Sequence, residues 1–172
     1  MKKVLLITGG ARSGKSSYAE KRALELGARL LYVATAEAKD PEMTARIAAH
    51  RERREKRWRT IEEPLEVAKV LSAQVGKIDC ALIDCVTLWL SNLLQARGEF
   101  AIEHEVEILL KAVSTCDFAF VFVTNEVGSG IVPDNPLARQ FRDLAGRANQ
   151  RLAELADEVV LMVAGIPVTV KS

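Results

Sequence analysis

The run Gly9-Gly10-Ala11-Arg12-Ser13-Gly14-Lys15-Ser16 satisfies the spacing G-x-x-x-x-G-K-[ST]. Glycines let a backbone curl closely around a polyphosphate so that several N–H groups point inward. A helix starting there adds the positive end of its dipole. Lys15 then supplies a mobile cation for β- and γ-phosphates, and Ser16 a hydroxyl ligand for Mg2+. The run lies between an apolar stretch at 4–7 and a helical pattern at 16–26. That strand-to-helix context favours a phosphate cradle over a Gly-rich turn with a chance lysine.

Two further residues carry chemical potential. Asp84 closes the apolar run 80–83, where a carboxylate can hold Mg2+ directly or through water; the alternative is an N-cap for the helical pattern at 88–95. His50 lies in a helical pattern at 43–57, aligned with Met43, Ile47 and Arg54 and flanked by Arg46 and Arg53 on the neighbouring turns. Like charge there favours the neutral imidazole, whose free nitrogen can attack phosphorus, while the arginines could hold phosphates and stabilise developing charge. A solvated cationic helix face with an incidental histidine fits the same residues. A nucleic-acid patch fits less well, because Glu52 and Glu55 interrupt the cations.

Positioning these groups requires strands alternating with helices. Apolar runs of strand length recur at 4–7, 30–34, 80–83, 118–123, 159–163 and 168–170, and helical patterns at 16–26, 43–57, 65–75, 88–95, 102–114 and 137–155. The first four runs are apolar at nearly every position, as strands covered on both faces are. The pattern predicts an α/β domain of P-loop NTPase type, with a mostly parallel central sheet flanked by helices and an antiparallel hairpin near Gly165 and Pro167. No repeat or linker divides residues 1–172, so one nucleotide-binding catalytic domain is expected. Ligands of such sheets sit at the carboxyl ends of the strands, which directs attention to 9–16, Thr35, Ala36, Asp84 and 124–130.

Composition narrows the class. The 172 residues are 49% hydrophobic and 27% charged, with 24 Lys and Arg against 23 Asp and Glu. A near-neutral balance gives little support for nucleic acid as a partner, and no apolar stretch is long enough to span a membrane. The three cysteines, Cys80, Cys85 and Cys116, show no metal-ligand spacing and read as buried thiols. With no signal-peptide core before the first strand, a cytoplasmic protein is expected.

Taken together, the chain resembles the bifunctional adenosylcobinamide kinase/adenosylcobinamide-phosphate guanylyltransferase family of cobalamin biosynthesis. The resemblance rests on Ile7-Thr8 and the phosphate run, Tyr32-Val33-Ala34-Thr35-Ala36, Arg46-Ile47 with His50, and Trp58-Arg59-Thr60-Ile61-Glu62-Glu63-Pro64. It continues through Asp84-Cys85-Val86-Thr87-Leu88-Trp89-Leu90-Ser91-Asn92-Leu93-Leu94, Thr124-Asn125-Glu126-Val127-Gly128-Ser129-Gly130-Ile131-Val132-Pro133 and Gly165-Ile166-Pro167. It implies phosphorylation of adenosylcobinamide by ATP or GTP, then GMP transfer from GTP to adenosylcobinamide phosphate through a covalent intermediate on His50, with release of pyrophosphate. It also implies Mg2+ and a homotrimer. Carried over by position, Ala34, Thr35 and Ala36 would lie along the nucleotide, and Arg51, Glu52, Arg53, Arg54, Glu62 and Asp84 would complete its contacts.

A carboxylate such as Glu62 can accept from guanine N1–H and the exocyclic amine; the alternative is a residue leading into the helix after Pro64. One departure is Glu55, where the family pattern has proline. Asn125 and Glu126 could contact the corrinoid or the metal, or serve ordinary loop hydrogen bonding. Trp58 and Trp89 read as core or subunit contacts, and His104 as surface. A simple P-loop small-molecule kinase, which assigns His50 no covalent part, is the competing enzyme reading. A non-catalytic nucleotide switch is the competing binding reading.

Overall fold

The computed structural model describes residues 2–37 and 57–172. The expected helix at 43–57, with His50 and Arg51, Glu52, Arg53 and Arg54, lies outside the described residues except for Arg57, which sits in a turn.

Numbered along the described chain, β1 (Val4–Gly9) leads through the glycine run into α1 (Lys15–Leu26), then β2 (Leu30–Ala34), β3 (Trp58–Glu62) and α2 (Val67–Ser72). β4 (Cys80–Asp84), α3 (Val86–Arg97), α4 (Glu99–Thr115), β5 (Ala119–Val123), α5 (Pro136–Leu155), β6 (Glu158–Val163) and β7 (Ile166–Lys171) follow. One seven-stranded sheet has the order β3-β2-β4-β5-β1-β6-β7. Every pairing is parallel except β6 with β7. The hairpin turns through Ala164 and Gly165, both at positive φ (50° and 85°), as a two-residue turn matched to strand twist requires.

Strand alternation divides the core in two. Leu6, Val33, Ile83 and Phe122 face α2, α3, α4 and α5, whereas Ile7, Tyr32, Leu82 and Val123 face Ala19 and Ala23 of α1. With both faces covered, β2 and β5 are buried at every position, which is why they read as uninterrupted apolar runs. Trp89 is fully buried and its indole N–H donates to the Leu65 carbonyl at 2.9 Å. Trp58 is half-buried and meets Tyr32 edge to face at 5.9 Å. All three cysteines are buried free thiols.

Two local differences from the sequence expectation have physical causes. β3 escapes the apolar pattern because it is an edge strand with Arg59, Thr60 and Glu62 exposed. Its ladder to β2, Leu30 to Trp58 through Ala34 to Glu62, supplies what the side chains do not. The helix expected at 65–75 shortens to α2, since the Glu63 carboxylate accepts from the backbone N–H of both Leu65 and Glu66 at 2.9 Å and holds a turn there.

α1 is tied to β6 by a two-pronged bridge from Arg22 to Glu158, at 2.6 and 2.9 Å, with Lys3 at 2.7 Å. The Arg22 hydrogen bonds, then that from Lys3, hold the Glu158 carboxyl down to about 2, against opposing desolvation. A depressed carboxyl stabilises the fold above its unfolded value, and the gain disappears as pH falls through the folded one. Glu158→Gln is therefore expected to destabilise by on the order of 2 kcal/mol at pH 7. Denaturant titrations should show the gap to wild type closing between pH 4.5 and about 2; a gap independent of pH would contradict this assignment.

Candidate active site

The turn from β1 to α1 is shaped by two glycines, Gly9 and Gly14, that no other residue can replace without movement. Gly9 has φ 149°, and a Cβ there would lie 2.6 Å from the Met162 carbonyl oxygen. Gly14 caps α1 with φ 92°, and a Cβ there would meet the Gly165 Cα at 3.3 Å. Arg12 also takes positive φ, 54°. Three carbonyls of the turn accept from neighbouring backbone: Gly9 from the Glu126 N–H at 3.1 Å, Ser13 from the Gly165 N–H at 3.0 Å, and Gly14 from the Tyr18 N–H at 3.1 Å. Gly10 and Ala11 are exposed at its mouth, Ser13 is buried beneath it, and Ser16 is half-buried in the first turn of α1.

Lys15 is 7% exposed. Its ammonium donates to the carbonyls of Gly9 at 2.9 Å and Gly10 at 2.5 Å, with the Ser13 hydroxyl at 3.5 Å. The cation thus lies against the cradle and can exchange carbonyl partners for phosphate oxygens by a short side-chain movement.

The carboxyl ends of β4, β2 and β3 lie side by side, with Ala34 in register with Asp84 on one flank and Glu62 on the other. Asp84 is half-buried and its Oδ2 accepts from the Tyr32 hydroxyl at 2.8 Å. It does not cap the next helix: the N-cap of α3 is Cys85, whose Sγ accepts from the Leu88 N–H at 3.4 Å. Glu62 is exposed at the end of β3, and the turn through Pro64 into α2 is held by Glu63 instead. The capping and helix-entry duties that the sequence leaves open for these two carboxylates are therefore filled by neighbours.

Thr35 is completely buried. Its hydroxyl donates to the Cys85 carbonyl and accepts from the Cys85 N–H, each at 2.8 Å. Its own carbonyl accepts from Asn92 at 2.8 Å. Thr35 is thus a staple between β2 and the residue after Asp84, while half-buried Ala36 begins the path beyond.

A third polar cluster forms where β5 ends, between β1 and β4. The Thr124 hydroxyl donates to Asn149 Oδ1 at 2.8 Å and lies 3.2 Å from that of Thr87, which accepts from the Asn125 N–H at 2.7 Å. Each hydroxyl has one proton, so with Thr124 committed to Asn149 the Thr87 hydroxyl donates to Thr124. Strand position singles out 124–130, and Thr87 and Asn92 enter only through the family resemblance, whereas Asn149 carries no comparable signal in the sequence, since polar residues in helical patterns read as surface.

The donor set fits Mg2+. Ser16 and Asp84 offer hard oxygens, and among the described residues no group of three or more His, Cys, Asp and Glu forms a dedicated metal cage.

A glycine-built loop between β1 and α1, in a mostly parallel sheet flanked by helices, gives the chain a P-loop NTPase-like fold. The fold is similar to that of a prototypical ATPase from the type III secretion system of pathogenic bacteria, at a TM-score of 0.56 and 11% identity over 97% of this chain and 56% of that one. Residues 5–170 match the family described as cobinamide kinase / cobinamide phosphate guanyltransferase, and the chain belongs to that family. It is 45% identical, over 98% of its length and 99% of the relative, to the bifunctional adenosylcobalamin biosynthesis protein CobU of Salmonella typhimurium. It is 45% identical, over 96% of each chain, to the bifunctional adenosylcobalamin biosynthesis protein CobP of Pseudomonas aeruginosa.

Gly9→Ala should push the loop away from Met162. We expect about 1–3 kcal/mol of destabilisation and at least about tenfold weaker ATP binding, since the cradle amides lose convergence. Calorimetric titration and thermal unfolding measure both, and wild-type values in the pair would contradict the steric assignment.

Proposed function

We propose that this protein phosphorylates adenosylcobinamide with ATP or GTP and then converts the product to adenosylcobinamide-GDP with GMP taken from GTP. The observation that supports this most is the glycine-built cradle at the end of β1 with Asp84 at the end of β4, one strand away, in a chain whose family is described by both activities.

In the first reaction the acceptor hydroxyl oxygen bonds to the γ-phosphorus as the bridge to the β-phosphate breaks, and the hydroxyl proton passes to solvent. Backbone amides of residues 9–16 hold the donor, and Lys15 follows the charge that develops between the β- and γ-phosphates. Ser16 and Asp84 would hold Mg2+, which when bound neutralises phosphate charge. Ala34 and Ala36 border the nucleotide, and Glu62 accepts from guanine N1–H and its amine, which favours GTP over ATP in the second reaction.

In the second reaction a neutral His50 nitrogen attacks the α-phosphorus of GTP and pyrophosphate leaves. A phosphate oxygen of adenosylcobinamide phosphate then attacks the same phosphorus, the N–P bond breaks, and His50 is restored. Arg51, Arg53 and Arg54 supply charge for the phosphates and Glu52 completes the contacts. These residues lie outside the described structure, so their part rests on sequence and resemblance. The enzyme works in the cytoplasm as a homotrimer, with the corrinoid held between chains; fully active monomers in sedimentation would reject that assembly.

Incubation with α-labelled GTP and Mg2+ is expected to leave an acid-labile, alkali-stable label on the protein, and His50→Ala to abolish it. The same adduct on the variant would exclude His50 as the nucleophile. Turnover of cobinamide without any protein label would favour a simple kinase.

A further inference from the structure

Asp84 arrives at the carboxyl edge with one of its two oxygens already engaged. Oδ2 accepts from the Tyr32 hydroxyl at 2.8 Å, and no donor among the described residues is bonded to Oδ1. Tyr32 lies in the middle of β2 and is 4% exposed. The β2–β4 ladder pairs Tyr32 with Leu82 and Ala34 with Asp84, so the tyrosine stands on the neighbouring strand two positions before the level of Asp84. Strand alternation puts both side chains on the α1 side of the sheet, where Tyr32, Ala34 and Leu82 pack in one cluster with Ala19 and Ala23. The ring also meets Trp58 edge to face at 5.9 Å, so the hydroxyl is delivered from a packed ring.

The same carboxylate lies within electrostatic reach of the cradle's cation. The buried Cys85 thiol is raised by burial and then by the Asp84 carboxylate, and the Lys15 ammonium opposes them. Both charges therefore act at one sulfur, directly after β4. An oxygen donor at this place meets cations with different demands. Ca2+ takes about six to eight oxygens and accepts both oxygens of one carboxylate, whereas Mg2+ demands near-octahedral geometry, which the narrow bite of a chelating carboxylate does not meet.

We infer that Tyr32 is a positioning residue that sets cation choice at the nucleotide site: its hydroxyl occupies Oδ2, limits Asp84 to a single ligating oxygen, and so favours Mg2+ over the larger Ca2+. The inference rests on the reading of Asp84 as the cation-holding carboxylate beside a bound nucleotide, and is independent of the acceptor and of His50. Groups that fix a ligating side chain account for about 10–100-fold in metal affinity. Without the hydroxyl, Oδ2 returns as a second ligating oxygen, which Ca2+ can use and Mg2+ cannot.

The test titrates the full chain with a non-hydrolysable ATP analogue in EDTA, in saturating Mg2+ and in saturating Ca2+. The three Kd values give the factor by which each cation tightens nucleotide binding. Tyr32→Phe, which keeps the ring and its packing on Trp58, is expected to hold the Kd in EDTA within about twofold and to cut the Mg2+ factor about tenfold. The Ca2+ factor should stay level or rise. An unchanged ratio of the two factors in folded Tyr32→Phe protein would overturn the inference, as would an equal fall in both, the mark of lost packing. Wild-type protein whose nucleotide binding is tightened more by Ca2+ than by Mg2+ would overturn it as well. Asp84→Asn keeps an oxygen that can accept from Tyr32 but removes the charge, and should abolish most of the tightening by both cations. If it abolishes none, the reading of Asp84 fails and the inference with it; if it does so while Tyr32→Phe leaves the ratio unchanged, only the role of Tyr32 fails.

Discussion

The phosphate loop can present its N–H groups inward only because its carbonyls have partners elsewhere. A backbone this close to polyphosphate cannot leave those oxygens buried and unpaired. The Gly9 carbonyl accepts from Glu126 beyond β5, the Ser13 carbonyl from Gly165 in the β6–β7 turn, and the Gly14 carbonyl from Tyr18 in α1. Two segments distant in sequence, beyond β5 and in the β6–β7 turn, therefore set the curl of one turn together with the first turn of α1. Lys15 also donates to the carbonyls of Gly9 and Gly10, so its charge is held against the turn.

The C-terminal hairpin acquires a purpose from this constraint. Gly9 approaches Met162 and Gly14 approaches Gly165 more closely than a Cβ allows without adjustment. The hairpin buttresses the loop from outside, and the Arg22–Glu158 bridge ties the strand that carries it to the helix the loop begins. Burial pushes the Cys80 and Cys85 thiols up to about 12, so they pack as small apolar groups and bring no thiolate to the neighbouring carboxylate.

Strand order distributes the chemistry across the carboxyl edge. β4 offers Asp84 and β1 the cradle, and the inserted β5 separates them by one strand. Polar staples hold the junctions: Thr35 with Cys85 and Asn92 beside Asp84, and Thr124 with Thr87 and Asn149 at β5. Buried polar networks of this kind lock the local geometry when every member is satisfied. Against them, Arg142 Nη1 and Thr8 Oγ1 stand out as buried atoms with no partner among the described residues.

Periodicity and spacing by themselves determined the α/β class, the closing hairpin, the phosphate loop and the carboxylate at the end of β4. Each of these depends on local backbone conformation or on burial of both faces of a strand, and both leave a mark in neighbouring residues. Trp58–Glu62 left none, because an exposed edge strand is held by its ladder to β2 and its side chains remain polar. Only the tertiary structure decided that Cys85 and Glu63 take the local turn duties, which leaves Asp84 and Glu62 at the carboxyl edge without them. It alone joined Thr87, Thr124 and Asn149 and buried Arg142 Nη1 with no partner among the described residues, since residues from separate elements meet through sheet order and helix packing, and no local pattern records that meeting.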